Sequence, residues 1–208
     1  MVAIVDYGVG NLFSLKCSLL SVGAEVVITA DPAVLADADQ IILPGVGAFA
    51  DAARKLREAE LDKTLVALAE RGKPLLGICL GMQMLFEKSY EFGEHTGLGL
   101  IPGSVKPIRD VIPEDLKIPH IGWNALDFQK NSPLFSQIKE GDYVYFVHSF
   151  YATDCEDYVL ATAEYGTPLT AAVAKGNILG CQFHPEKSGS VGLAILKAFT
   201  QMKGAEIC

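Results

Sequence analysis

Several features that define whole classes of protein are missing or scarce in this chain of 208 residues. Its cysteines are odd in number, do not cluster and form no CxxC pair, so neither a disulfide framework nor a zinc site is indicated. No hydrophobic run approaches the ~20 residues that span a bilayer, and residues 1–7 lack the basic region of a signal peptide. We therefore expect a cytoplasmic protein with no membrane segment and with reduced thiols. The cysteines are Cys17, Cys79, Cys155, Cys181 and Cys208.

Charged residues are also sparse, at 20% of the chain, and the net charge at pH 7 is −8. A negative net charge opposes binding to phosphate backbones, so we expect no nucleic-acid partner. Half of the residues are hydrophobic, which is enough for a large core and argues against disorder. Because we find no repeat, linker or low-complexity tract, we expect residues 1–208 to form a single domain.

The first half of the chain alternates apolar runs with longer helical patterns, and the second half does not. Continuous apolar strands separated by helices predict a mostly parallel sheet with helices on both faces, an α/β fold. After residue 97, short segments bounded by turns predict hairpins and antiparallel additions. The predicted strands are 2–6, 25–29, 40–43, 73–79, 105–108, 121–128, 143–151, 158–163, 170–174 and 178–183, and the predicted helices are 12–22, 32–36, 49–71 and 191–202.

The glycines of Gly8-Val-Gly-Asn11 follow the first predicted strand but do not complete a dinucleotide-binding motif. Phe13 stands where G-x-G-x-x-G needs its third glycine, and no acidic residue ends the second strand. We interpret the segment as a tight turn between a strand and a helix.

Cys79 lies in the segment Gly77-Ile-Cys-Leu-Gly81, between an apolar run and a helical pattern over residues 82–86. This is the context of a nucleophile elbow, a strand–turn–helix motif, with cysteine in place of serine. A helix N-terminus favours the thiolate form. The alternative is a buried cysteine at the end of a core strand.

His184 and Glu186 flank a single proline near the C-terminus. In extended backbone, residues i and i+2 project to the same side, and proline keeps the residue before it extended. We therefore expect Glu186 to bind one imidazole nitrogen and leave the other for a nucleophile, as the orienter and base of a triad do. The alternative is a surface loop with a solvated carboxylate.

A cysteine that attacks a carbonyl carbon needs hydrogen-bond donors for the oxygen that becomes negative. An elbow supplies the backbone N–H of Leu80. The segment Pro44-Gly-Val-Gly47 ends the third predicted strand, at the sheet edge where the elbow is also expected, and is a second candidate; an ordinary turn is its alternative. Val46 is β-branched and resists positive φ, so an N–H that depends on turning the Gly45–Val46 peptide is expected to be poorly populated at rest.

Residues 44–47, 77–83 and 182–186 together resemble the class I (triad) glutamine amidotransferases. The resemblance runs from the first strand to the last helix and implies a flavodoxin-like three-layer sandwich with added antiparallel strands. We find no departure at the triad; Ile121, where methionine is common, is a minor one. Within the family the chain is most similar to the glutaminase subunits of imidazole glycerol phosphate synthases, over residues 6–11, 44–47, 122–124, 145–150 and 184–188.

The resemblance implies that Cys79 attacks the side-chain amide of glutamine, forms a thioester and releases ammonia. His184 then protonates the leaving amine and activates water, and Glu186 orients the imidazole. Val46, Gly47 and Leu80 would supply the oxyanion donors.

The same resemblance implies a binding site for the rest of the substrate. Gln83 and Glu91 match positions that hold its amino-acid end, and the backbone at Ser149 and Phe150 matches the carboxylate site, with Gly45 beside it. From the residues alone, Gln83 can equally be an exposed helix residue, and acidic residues such as Glu91 are common in loops.

The resemblance also implies a partner, a (β/α)8-barrel cyclase subunit that uses the ammonia. The cyclase joins it to a phosphorylated aminoimidazole-carboxamide ribonucleotide, and we expect docking of the cyclase, or its ligand, to turn the Gly45–Val46 peptide. Asn11, Trp123, Tyr145 and Lys187 match positions that face this partner. Their alternatives are a helix cap, a core tryptophan, a strand aromatic and a solvated lysine.

Three other functions remain open. They are a glutaminase for another synthase, such as that of pyridoxal phosphate, a cysteine peptidase or repair protein on a similar scaffold, and a binding module without catalysis. His95, His120 and His148 show no metal-ligand spacing, so we assign them no chemistry and predict neither metal nor cofactor.

Overall fold

The computed structural model describes residues 1–202, which contain fourteen strands and six α-helices, and Cys208 lies outside them. The strands are β1 (Val2–Val5), β2 (Val26–Thr29), β3 (Gln40–Leu43), β4 (Leu75–Ile78), β5 (Phe86–Ser89), β6 (His95–Thr96), β7 (Ile101–Pro107), β8 (His120–Ala125), β9 (Asp127–Phe128), β10 (Tyr143–His148), β11 (Phe150–Thr153), β12 (Val159–Glu164), β13 (Pro168–Lys175) and β14 (Ile178–Cys181). The helices are α1 (Leu12–Ser21), α2 (Pro32–Asp37), α3 (Phe49–Glu58), α4 (Leu61–Glu70), α5 (Leu80–Met84) and α6 (Gly189–Gln201).

The central sheet has eight strands in the order β2-β1-β3-β4-β14-β13-β12-β9. The first five are parallel neighbours, and β13, β12 and β9 extend the sheet in antiparallel fashion. Every residue of β1, β3, β4 and β14 is buried, which requires a covered sheet on both faces. The predicted α/β fold is confirmed.

Two hydrophobic clusters cover the two faces of this sheet. One contains residues of α2, α3 and α4, including Leu35, Phe49 and Leu65. The other contains residues of α1 and α6, including Leu15 and Phe199. The layers are therefore helix, sheet and helix. No helix within residues 1–202 combines the length and the hydropathy needed to cross a membrane.

Two helix predictions are wrong in extent. The predicted helix 49–71 is interrupted after α3, where Glu60 adopts a left-handed conformation with φ of 55°, and α4 begins at the next residue. The helical pattern over 82–86 ends at Met84, and Phe86 starts β5. Apolar residues at 82–86 are too few to distinguish a helix from a buried strand by their spacing.

A four-stranded sheet, in the order β11-β7-β5-β6, departs furthest from the sequence predictions. Neither β5 nor β6 was predicted, and β7 begins four residues before its predicted start at residue 105. The pairing of β5 with β7 is parallel, as is that of β14 with β4, so the later strands are not all antiparallel. The predicted strands 121–128 and 143–151 each divide into two.

Strands β8 and β10 form a separate antiparallel ladder with two different faces. Trp123 pairs with Tyr145 on one face, and His120 pairs with His148 on the other. Successive side chains of a strand point to opposite faces, so the aromatic pair and the histidine pair lie back to back. Trp123 is 51% exposed, whereas both histidines are buried.

Candidate active site

Cys79 occupies a strained turn between β4 and α5, with φ of 55° and ψ of −113°. Such a backbone costs about 1–3 kcal/mol in a residue other than glycine and is typical of functional sites. Its amide donates to the Cys181 carbonyl at 2.8 Å. A Cβ on Gly81 would lie 1.9 Å from the Leu43 oxygen, and one on Gly77 would lie 2.6 Å from the Gly81 oxygen. The flanking glycines are therefore required by close packing.

His184 and Glu186 meet beside the elbow. Nδ1 of His184 lies 2.8 Å from Oε1 of Glu186, and His184 and Cys79 line the same cavity. The expectation of an extended His-Pro-Glu segment is wrong, because Pro185–Lys187 forms a 3₁₀ turn. Proline suits the first position of such a turn, where its missing N–H is not needed. His184 itself is extended, as expected before a proline.

The charge balance of the site favours a protonated imidazole. Burial alone lowers the pKa of His184, but its interactions with Cys79 and Glu186 outweigh burial and raise the pKa to about 9. His184 therefore holds a proton at neutral pH that it can give to a leaving group. Burial, and secondarily the charge of Cys79, raises the pKa of the Tyr7 hydroxyl, which donates to the Pro44 carbonyl at 2.7 Å.

A cavity of about 540 Å³ opens in front of Cys79. It brings together most of the residues that the sequence predicts for the triad, the oxyanion donors and the substrate site. Gly45, Glu186 and Asn11 instead line a void of about 10 Å³ behind the triad. The predicted residues along the main cavity are Val46, Gly47, Cys79, Leu80, Gln83, Glu91, Ser149, Phe150, His184 and Lys187.

Gln83 is buried, so its interpretation as an exposed helix residue is wrong. Its Nε2 donates to the Phe150 carbonyl at 3.1 Å and to Oε1 of Gln182 at 2.9 Å. Gln182 in turn points Nε2 at the Cys79 sulfur, 3.7 Å away. The sequence prediction did not include Gln182. Its position two residues before His184 was the only signal for it.

Glu91 lies on the rim of the cavity and already has one partner. Its Oε2 accepts a hydrogen bond from the Phe49 amide at the start of α3. A carboxylate is favourable there because the N-terminus of a helix carries unpaired N–H groups and a partial positive charge. Its Oε1 accepts no hydrogen bond from residues 1–202 and is available on the rim.

The Pro44–Gly47 loop lies directly against the elbow. A Cβ on Gly45 would be 2.8 Å from the Gly81 nitrogen, so the two backbones touch. Gly47 has φ of 94°, and Val46 is 42% exposed without positive φ. Within residues 1–202, the amides of Val46 and Gly47 donate to no carbonyl or side chain.

Three of the four predicted partner-facing residues form one surface cluster. The Trp123 and Tyr145 rings meet edge to face at 5.9 Å, and Nζ of Lys187 lies 5.9 Å from the Tyr145 ring centre. The exposure of Trp123 shows that its interpretation as a core tryptophan is wrong. Asn11 does not cap α1 through its side chain; it donates to Oε1 of Glu186 at 3.5 Å, so it contacts the triad directly.

His148 also lines the main cavity, although the sequence analysis assigned it no chemistry. Its Nδ1 lies 2.8 Å from the Phe150 carbonyl, which also accepts from Gln83. Its other ring nitrogen contacts His120. The similar alternation of side chains along β8 and β10 was a signal for the His120–His148 pair. The register between the two strands could not be read from the sequence.

Comparisons with known proteins agree on one family. The family model described as "Glutamine amidotransferase class-I" matches residues 3–202. The chain is 51% identical over 205 residues to "Imidazole glycerol phosphate synthase subunit HisH" of Bacillus velezensis, covering 97% of this chain and 96% of that one. It is 48% identical over 203 residues to the protein of that name from Oceanobacillus iheyensis, with 97% and 99% covered.

A solved structure described as "Crystal structure of glutamine amidotransferase" has the same fold. It superposes with a TM-score of 0.74 and covers 96% of this chain and 100% of that chain. Only 20% of its residues are identical, so the likeness concerns the fold alone.

Proposed function

The chain belongs to the class-I glutamine amidotransferase family, and on that premise we propose that it is the glutaminase subunit of an imidazole glycerol phosphate synthase in histidine biosynthesis. One observation carries the proposal. Glu186 holds His184 at 2.8 Å, and His184 and Cys79 both line a cavity large enough for an amino acid.

The reaction begins when the Cys79 sulfur attacks the side-chain amide carbon of glutamine. As the carbon–nitrogen bond breaks, His184 gives its proton to the nitrogen, and ammonia leaves a γ-glutamyl thioester. Water then attacks the thioester and gives a proton to His184, and the carbon–sulfur bond breaks, so that glutamate leaves and the free Cys79 sulfur lies again beside a protonated His184. Glu186 keeps the imidazole oriented through both steps.

The tetrahedral intermediates carry a negative oxygen that needs two donors. The Leu80 amide is one, because Leu80 opens α5 immediately after the nucleophile. The Val46 or Gly47 amide is the other, since neither has a partner within residues 1–202 and both border the cavity. Turning the Gly45–Val46 peptide would complete the oxyanion hole.

The remaining cavity residues hold the other end of glutamine. Glu91 receives the α-amino group through its available oxygen, and Gln83 holds the Phe150 carbonyl in place. The backbone of Ser149 and Phe150 receives the α-carboxylate, while Gly45 keeps the adjoining loop close to the elbow.

The ammonia passes to a (β/α)8-barrel cyclase subunit that forms a heterodimer with this chain. The exposed face of the β8–β10 ladder is the docking surface, because Trp123 and Tyr145 present an apolar aromatic cluster with Lys187 beside it. Residues 1–208 act as one glutamine amidotransferase domain. The assembly is cytoplasmic, and the cysteines at 17, 79, 155 and 181 are unpaired as a reducing compartment requires.

The test is glutamine hydrolysis by the chain alone and with the cyclase. We expect hydrolysis to be slow alone and to rise strongly with the cyclase. Changing Cys79→Ala should lower it by about 10⁴-fold or more without unfolding the chain. Hydrolysis by the Cys79→Ala variant at the wild-type rate would overturn the mechanism. Activation by a different synthase, and not by this cyclase, would overturn the assigned partner.

A further inference from the structure

A hydrogen-bond network of three polar side chains runs behind the substrate cavity and ends on a backbone carbonyl at each side. At one end the Phe150 carbonyl lies 2.8 Å from Nδ1 of His148. Nε2 of His148 lies 3.0 Å from Nδ1 of His120, and Nε2 of His120 lies 2.8 Å from Oδ1 of Asn124. At the other end, Nδ2 of Asn124 donates to the Glu164 carbonyl at 2.8 Å.

This hydrogen-bond network lacks one proton when both imidazoles are neutral. A carbonyl oxygen only accepts, so the contact with Phe150 needs a proton on His148. The contact with Asn124 needs a proton on His120 for the same reason, and the contact between the rings needs a third. Two neutral imidazoles carry only two N–H groups. Flipping the Asn124 amide moves the conflict to Glu164, where two oxygens would then meet.

A third proton would complete every contact but would charge the pair. Burial outweighs the bond to Phe150 and, together with repulsion from His120 and His184 when these are protonated, lowers the pKa of His148 to about 3. Burial also lowers the pKa of His120, against its bond to Asn124. In the free protein at neutral pH the pair is therefore neutral, and one contact at 2.8–3.0 Å lacks its proton.

Aromatic rings face the His120–His148 pair on one side, and the residues of the main cavity face it on the other. The Phe146 and Tyr165 rings stack on His120 at 5.1 Å and 4.0 Å and supply no ion. On the cavity side, His148 shares the cavity lining with the neutral amide of Gln83. The same lining includes Cys79 and Glu91, which are negative when ionised, and His184 and Lys187, which are positive when protonated.

We propose that binding of the glutamine α-carboxylate at Ser149 and Phe150 draws one proton from solvent onto the His120–His148 pair, which then serves as the buried counter-charge of the carboxylate. This inference rests on the proposed function, since it assumes glutamine in the cavity. The added negative charge lies beside His148 and offsets the desolvation that keeps the pair neutral. The proton also supplies the missing hydrogen bond, so carboxylate binding and completion of the network stabilise each other.

Calorimetry of glutamine binding measures this proton directly. We expect the full chain carrying Cys79→Ala, which stops turnover, to take up close to one proton per glutamine bound at neutral pH, as measured in buffers of different ionisation enthalpy. The additional change His120→Phe keeps a stacked ring that cannot carry a proton. It should abolish the uptake and weaken glutamine binding about tenfold. His95→Gln, a histidine outside the network, should leave both unchanged.

A second measurement does not depend on any histidine variant being folded. If binding takes up one proton, the dissociation constant of glutamine, or the KM of the wild-type chain, should rise by up to about tenfold per pH unit as the pH rises through neutrality. Binding without proton uptake, or equal uptake with and without His120→Phe, would overturn this inference and leave the proposed function intact. Absence of both glutamine binding and wild-type hydrolysis would instead remove the proposed function and this inference with it.

Discussion

The elbow at Cys79 and the Pro44–Gly47 loop touch one another, yet they are held in very different ways. The elbow is buried, its amide is bonded to Cys181, and its glycines leave no space for a methyl group. The loop is exposed at Val46, and a Cβ on Gly47 would meet nothing within 4 Å. Packing therefore fixes the proposed nucleophile, whereas the loop that carries the proposed second oxyanion donor has open space around Gly47.

This difference separates two requirements of the reaction. A strained nucleophile must be held by its surroundings at all times, because the strain would otherwise relax. An oxyanion donor needs its final position only when the intermediate forms, and losing one typically costs ~3–4 kcal/mol in the barrier. A loop that completes the oxyanion hole only in the assembled enzyme would prevent glutamine from being consumed without a use for the ammonia.

The change Gly81→Ala should have the largest effect on stability, because it removes the close packing that holds the elbow. The new Cβ would lie 1.9 Å from the Leu43 oxygen, which is backbone and cannot move aside. We expect a loss of about 3 kcal/mol or more in the free energy of unfolding, measured by denaturant titration. A loss no greater than that of Gly72→Ala, at a glycine with open space around it, would mean that the elbow is not held by packing.

The change Gly47→Ala tests the loop, where we expect activity to suffer more than stability. Gly47 has φ of 94°, which strains alanine by roughly 1–2 kcal/mol and should misplace the neighbouring amides. Glutamine hydrolysis with the cyclase should fall about 10²-fold. Gly72→Ala is the matched control, since Gly72 has φ of 86° in an open turn that does not line the cavity. Equal activity of the two variants would argue against a donor in the loop.

The smallest expected effect is a change of stability with pH, and it arises at His184, beside the elbow. The pKa of His184 is raised to about 9 from an ordinary value near 6.5. A raised pKa stabilises the folded state fully below pH ~6.5 and loses that contribution as the pH rises through about 9. We expect a decline of about 1–2 kcal/mol in the free energy of unfolding over that range.

Glu186→Gln is the control for this pH dependence, since it keeps the shape of the side chain and removes its charge. The decline should become shallower in that variant. An identical decline would mean that the Glu186 carboxylate does not help to hold the proton on His184.

The sequence predicted the central sheet well because its strands are continuous apolar runs, and burial on both faces follows from that pattern alone. It failed where tertiary contacts decide the local structure. Nothing local separates the end of α5 at Met84 from the start of β5 at Phe86, and nothing local marks Glu60 for the positive φ it adopts between α3 and α4. The His-Pro-Glu pair was predicted to meet through extended backbone, and it meets through a 3₁₀ turn.

The same limit applies to the site. The sequence predicted Cys79, His184 and Glu186 because each lies in a short motif that indicates its chemistry. Gln182 and the His120–His148 pair could not, since their importance depends on which strands lie side by side and in which register. A histidine on a strand carries no signal of its own until its cross-strand neighbour is known.

The most direct test of the central claim, that Cys79 is a nucleophile held ready beside His184 for glutamine, is mass spectrometry after exposure to a glutamine-mimicking alkylator. We expect Cys79 alone among the five cysteines to be labelled rapidly, and the cyclase to increase its labelling. Labelling spread evenly over Cys17, Cys79, Cys155, Cys181 and Cys208, with or without the cyclase, would contradict this claim.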